Sequence, residues 1–245
     1  MLRVFRSGVT ILTNSELALR TGLPRPTVSR LTRSLVDAGF LMYDMEHRAY
    51  RLAAVCLSLG EAFQRAIPEV RVAEPFMKEV AERHQVNAGL ATADQLEMVY
   101  LAAYRESQDP VSRTRRVSAG YRVPIWRSAI GRAYVVGLEP GPREAVLHRV
   151  AQSAGKAWPG LKERFEQARI EIDCQGYCSG DWEPGVLVGI GTWLIGPNNT
   201  CYALNISAQV IDAQRTSLEQ KYGKLLLQLS ADISKAWNES FGASA

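Results

Sequence analysis

Residues 21–40 read TGLPRPTVSRLTRSLVDAGF, in which Arg25, Arg30 and Arg33 alternate with the hydroxyls of Thr27 and Ser29 behind Pro24 and Pro26. A guanidinium offers a planar fork of donors that matches a phosphate or the edge of a guanine, and serine or threonine hydroxyls bond phosphate oxygens. Val28, Leu31, Leu35 and Ala38 recur at intervals of three and four, which predicts a helix with one buried stripe. On such a helix Pro26, Ser29, Arg30 and Arg33 project to the opposite side. That face is either an ordinary solvated surface or a surface that reads a nucleic acid, and the neighbouring elements decide between them.

Ahead of it, Thr13 to Glu16 (TNSE) has the spacing of a capping box, which predicts a short helix over 14–20 closed by Gly22 in the left-handed conformation. Proline suits the first turn of the second helix, because the amide that it lacks would be unpaired there. Gly39 ends that helix, and FLMYD and RAYRLA then read as two strands joined by MEH. Helix, tight turn, helix and hairpin make a winged helix-turn-helix, whose second helix enters the major groove of double-stranded DNA. The expected contacts are Arg25, Pro26, Thr27, Ser29, Arg30 and Arg33, while His47 and Arg48 at the wing either touch phosphates or belong to a plain loop.

Charge supports the DNA reading. Residues 1–53 hold eight arginines, no lysine and four acids, whereas the other residues balance at 21 basic and 21 acidic. The whole net charge of +4 therefore sits in one segment, as in a nucleic-acid module joined to something else. No apolar run approaches the roughly 18 residues that span a bilayer, and MLRVFRSGVT lacks the apolar centre of a signal peptide, so no membrane partner and a cytoplasmic location are expected. Four cysteines are too few for a disulfide scaffold and are read as reduced thiols.

The run LTNSELALRTGLPRPTVSRLTRSLVDAGFL, followed by YRLAAVCLSLG, resembles the amino-terminal domain of the IclR family of bacterial transcriptional regulators. VPIWRSAIGRA, GYCSGDWEPGVLVGIGTWL and YALNISA continue the resemblance in family order along the chain. It implies an α+β protein: a winged helix-turn-helix over 1–53, a linker helix over 54–68, and a GAF-like effector-binding and oligomerisation domain over 69–245, with an antiparallel sheet flanked by helices. It also implies a homodimer or dimer of dimers on a palindromic operator, with a small organic acid changing DNA binding. Family members have a full helix ahead of the capping box; here MLRVFRSG looks like its tail, so either that helix continues upstream of Met1 or the domain folds around a stub.

Carried over from the family, the amides of Ala129 and Ile130, next to Ser128, would hold the acid's carboxylate at a helix start, where free N–H groups and the helix dipole favour an anion. Val186 and Val188 would line the wall, and Asn205 and Ser207 would add polar contacts. Three departures from the pattern stand out: Trp126 replaces the usual histidine and Arg127 the next small residue, Asp181 or Cys178 stands in for an acidic pair, and Val188 replaces a cysteine found in some members. Trp126, Trp182 and Trp193 either make the pocket aromatic, which fits an aromatic or hydrophobic carboxylate, or pack in the core or an interface.

Other chemistry is sparse. Cys174 and Cys178 have C-x₃-C spacing but no histidine or third cysteine near them in sequence, and nothing resembling a nucleophile elbow surrounds Ser128. No metal, no cofactor and no catalytic group are expected. The periodicity also predicts helices over VRVAEPFMKEVAERHQ and from Gln214 to about Phe241, the latter with a stripe of Leu218, Tyr222, Leu225, Leu229, Ile233 and Trp237. Two hairpins are expected, VNAGLATAD with LEMVYLAAY, and GVLVGIGTWLI with TCYALNISAQV.

Overall fold

The computed structural model describes residues 1–6, 8–105, 117–183, 187–209 and 215–242, and divides into two compact units, Met1–Ile67 and Pro68–Ala245.

The first unit is built on α1 (Asn14–Thr21) and α2 (Arg25–Asp37). Thr13 and Glu16 form the full capping box, and Gly22 closes α1 at φ 69° with its amide on the Ala18 carbonyl. Pro24 is the N-cap of α2 and Pro26 lies in its first turn. At the other end Phe40 N–H reaches the Leu35 carbonyl and Gly39 N–H the Val36 carbonyl, with Gly39 at φ 76°. That double closure turns the chain sharply into β2 (Leu41–Asp44), which pairs antiparallel with β3 (Ala49–Leu52). A further strand that periodicity does not reveal, β1 (Ile11–Leu12), pairs with β3 on its other edge, giving the order β1-β3-β2.

The core here joins Phe5, Leu12, Leu17, Val28 and Leu41. Two expectations need correction. Ala38 is exposed and Leu31 only half-buried, while Thr32 is fully buried, its hydroxyl donating to the Val28 carbonyl at 3.0 Å. A threonine that satisfies its hydroxyl on its own helix can enter a core, which apolar counting overlooks. The segment ahead of the capping box is a single 3₁₀ turn, Leu2–Val4, from which Phe5 enters the core. α3 (Val55–Arg65) then follows, with no buried residue along its length.

The second unit opens with α4 (Pro68–His84). Its sheet is antiparallel, in the order β6-β5-β4-β9-β8-β7: β4 (Asn87–Asp94), β5 (Glu97–Arg105), β6 (Arg122–Pro124), β7 (Cys178–Glu183), β8 (Leu187–Ile195) and β9 (Cys201–Gln209). The helices α5 (Ala129–Gly137), α6 (Pro140–Ala154), α7 (Trp158–Gln175) and α8 (Arg215–Phe241) complete it. β9 separates the two layers. Ala203 joins the cluster of Ile125 and Ile130 on the α5 side, whereas Tyr202 meets Trp237 of α8 at 5.4 Å between rings on the other side. In α8 the buried stripe is Leu226, Leu229, Ile233 and Trp237; Leu225, expected in it, is half-buried. The fold is thus α+β, an amino-terminal helix-turn-helix unit and an antiparallel sheet flanked by helices. Among the described residues no helix is long and apolar enough to cross a membrane.

Candidate functional site

In the first unit, the α2 face opposite the core presents Arg25, Pro26, Ser29, Arg30 and Arg33 as exposed side chains, with Thr27 half-buried at its edge. Arg25, Arg30 and Arg33 make no ion pair among the described residues. Three cations within nine positions, none neutralised locally, leave that face electropositive. In the β2–β3 turn, Asp44 Oδ1 accepts from the His47 amide at 3.0 Å and contacts His47 Nδ1 at 3.1 Å. Those bonds hold the Asp44 carboxyl below its ordinary range, the backbone bond first. The imidazole is thereby tied into the turn, while Arg48, at φ 47°, is exposed.

In the second unit a cavity of about 70 Å³ opens between the amino end of α5 and the sheet. A single water needs roughly 10–15 Å³ on this measure, so the space suits a small organic molecule. Strand register explains its floor. Gly89 of β4 lies opposite Asn205 of β9, which lies opposite Gly191 of β8; Asn87 lies opposite Ser207, which lies opposite Gly189, itself paired with Gly180 of β7. Glycines and short polar side chains thus occupy one face of four adjoining strands. A methyl at Gly191 would sit 2.9 Å from the Ala129 carbonyl, so that glycine lets the amino end of α5 rest backbone against backbone on β8.

Ser128 caps α5, its Oγ accepting from the Gly131 amide at 3.3 Å. The amides of Ala129 and Ile130 belong to the first turn, which has no intrahelical acceptors, and both residues line the cavity. On the sheet side, the Oδ1 atoms of Asn87 and Asn205 are buried with no hydrogen-bond partner among the described residues. An orphaned buried acceptor costs about 1–3 kcal/mol, which a suitable donor would relieve. A bulge in β5 sets the aromatic wall: Leu90 faces Ala102 but Ala91 faces Tyr100, so the register skips Leu101. The skip brings Tyr100 onto the same face as Ala103, and both line the cavity. Burial, then the neighbouring Tyr121, pushes the Tyr100 phenol well above its ordinary value.

Of the residues expected at this site, Ser128, Ala129, Ile130, Asn205 and Ser207 come together at the cavity. Trp126 does not: it packs half-buried against the core that holds Ile125 and Ile130. Cys178 is fully buried beneath α5, with Sγ 3.5 Å from the Ala129 carbonyl and its thiol pushed up to about 12 by burial. Asp181 and Val188 pair across β7 and β8 beside the Gly180–Gly189 pair, and Trp182 falls at an irregularity in that register. Val186 lies outside the described residues. Trp193 packs at the other end of α5, against Gly137. Asn87, Gly89, Tyr100 and Gly180 escape a reading of the sequence, because strand register and a bulge, not local spacing, bring them together.

Two family models match this chain: the IclR helix-turn-helix domain over residues 1–44, and the bacterial transcriptional regulator IclR C-terminal domain over 66–235. The chain belongs to the IclR family. Its members are DNA-binding transcriptional regulators and not enzymes, which is how this IclR-family chain is to be understood. The HTH-type transcriptional regulator TsaQ1/TsaQ2 of Comamonas testosteroni is 30% identical over 239 residues, covering 95% of this chain and 84% of that protein. An IclR family transcriptional regulator from Brucella abortus superposes with a TM-score of 0.84 at 29% identity, covering 96% of this chain and 88% of the other. An IclR homologue from Microbacterium hydrocarbonoxydans, solved in complex with 4-hydroxybenzoate, superposes with a TM-score of 0.70 at 20% identity, covering 97% and 96%. At that identity the likeness is one of fold.

Proposed function

We propose that this regulator reads a palindromic operator as a dimer or pair of dimers in the cytoplasm, and that a small aromatic acid in the cavity below α5 sets its affinity for DNA. Arg25, Pro26, Thr27, Ser29, Arg30 and Arg33 supply the groove contacts, with Arg48 and His47 on the flanking backbone. The observation that carries the ligand reading is the pairing of free first-turn amides at Ala129 and Ile130 with the orphaned amide oxygens of Asn87 and Asn205. The first group fits a carboxylate; the second fits a hydroxyl donor on the same molecule. The Tyr100 ring, which also lines the cavity, offers an apolar wall suited to a flat body. The Microbacterium homologue solved with 4-hydroxybenzoate supports an acid of this class.

Calorimetric titration with 4-hydroxybenzoate, benzoate and short aliphatic acids tests the reading. Binding of 4-hydroxybenzoate ahead of benzoate, with a matching rise in melting temperature, is expected. Binding of short aliphatic acids alone would remove the aromatic class, and no binding by any acid would favour a regulator without an effector.

A further inference from the structure

In the helix-turn-helix, one hydrogen bond joins the start of α1 to the exposed face of α2: Asn14 Nδ2 donates to Ser29 Oγ at 2.9 Å. Its direction has a chemical consequence. A serine oxygen has a single proton, and an oxygen that accepts from an amide keeps that proton for another partner. Most helical hydroxyls nearby spend theirs on their own helix. Thr21 donates to the Leu17 carbonyl at 2.6 Å, Thr32 to Val28 at 3.0 Å and Ser34 to Arg30 at 3.2 Å. Ser29 makes no such bond among the described residues and stands exposed beside Arg30 and one turn before Arg33. Asn14 in turn is held with its Oδ1 buried and unpartnered, so its carboxamide keeps this orientation against a desolvation cost.

In this motif the first helix crosses the DNA backbone while the second enters the groove. The meeting point of the α1 start and the outer face of α2 therefore faces a phosphate at the groove edge. We propose that Asn14 is a positioning residue: by donating to Ser29 Oγ it turns the serine O–H outward, as a donor to that phosphate. The inference rests on Ser29 touching DNA, and the test separates the two claims.

The full-length chain carrying Ser29→Ala, Asn14→Ala, both, or Asn14→Asp is titrated by fluorescence anisotropy against a duplex bearing the motif that the protein selects from random DNA. Ser29→Ala and Asn14→Ala should each weaken binding about five- to tenfold, and the double variant no more than either alone, the non-additivity of residues that share one contact. Because a serine hydroxyl is uncharged and displaces no counterion, both variants should leave the slope of log affinity against log salt at its wild-type value, unlike the loss of an arginine contact. Asn14→Asp is the decisive variant. A carboxylate can only accept, so it draws the serine proton inward and places an anion beside the phosphate, yet it suits the first turn of a helix. It should keep the melting temperature and lose DNA affinity by more than tenfold. Ser29→Ala at wild-type affinity removes the serine contact and the proposal with it. Weakening by Ser29→Ala with Asn14→Asp at wild-type affinity, or strict additivity of the two alanine variants, overturns the positioning role alone.

Discussion

The Tyr202 hydroxyl donates to Glu69 Oε1 at 2.6 Å, and Trp237 Nε1 donates to the carbonyl of the same glutamate at 2.7 Å. The first turn of α4 is thereby fastened to β9 by a side chain and to α8 by its backbone. Burial, then the adjacent carboxylate, keeps the Tyr202 phenol protonated beyond its ordinary range, so the bond persists across the physiological pH scale. Tyr202→Phe deletes a donor to a carboxylate and should lower stability by about 1–2 kcal/mol. Urea unfolding measures it, and an unchanged midpoint would deny the bond any weight.

On the DNA side, Arg30→Ala and Arg33→Ala should each weaken operator binding by about 1–3 kcal/mol if the guanidinium reaches a base edge, with relaxed selectivity at that position. A phosphate contact instead weakens all sequences alike and flattens the salt dependence. Competition between selected and random duplexes tells the two apart; wild-type affinity in both variants would remove α2 as the reading helix.

Gly89→Ala tests the cavity. A methyl there would meet Asn205 Oδ1 at 2.6 Å and collide with the Tyr100 ring, both of which line the space. The variant should abolish the melting-temperature rise given by an aromatic acid while leaving DNA binding without ligand near wild type. An undiminished rise would place the ligand elsewhere.

Alkaline pH should test the thiols of Cys178, which is buried, and Cys201, which is half-buried. Cys178 and Cys201 are both pushed up to about 12 by burial, from an ordinary value of 9.0. Both pKa values are raised in the fold, so their contribution is complete below about pH 9 and is lost as pH climbs towards about 12, where the unfolded chain binds fewer protons. Urea midpoints should fall between about pH 8 and about pH 10.5, and Cys178→Ala should make that fall shallower even where its starting stability is lower.

Local rules served the first unit well. The Thr13–Glu16 capping box, the helix ends at Gly22 and Gly39, and the β2–β3 hairpin lie where the sequence places them, since each depends on residues close together in the chain. β1 escaped because two residues give no periodicity, and Thr32 because a self-satisfied hydroxyl counts as polar on any hydropathy scale. At the cavity, the helix start at Ser128 is legible from the family resemblance. The floor is not, because Asn87 meets Ser207 across a chain separation of 120 residues and Tyr100 owes its direction to the bulge at Leu101. For the tryptophans the sequence leaves a pocket and a packing reading open; in the fold Trp126 lies half-buried against the core of Ile125 and Ile130, and Trp193 lies against Gly137 of α5.

The glycine contact beneath α5 bears on how such a regulator changes its taste for ligands over generations. At Gly191 backbone touches backbone, and at Gly180 an added methyl would run into the buried Arg132 guanidinium, so drift on the β7–β8 side is blocked at these positions. Tyr100 and Ala103 on β5, and Val117, meet the same space with side chains instead of backbone. Divergence in what the cavity accepts is therefore expected to accumulate along that part of the sheet, while the amino end of α5 stays fixed.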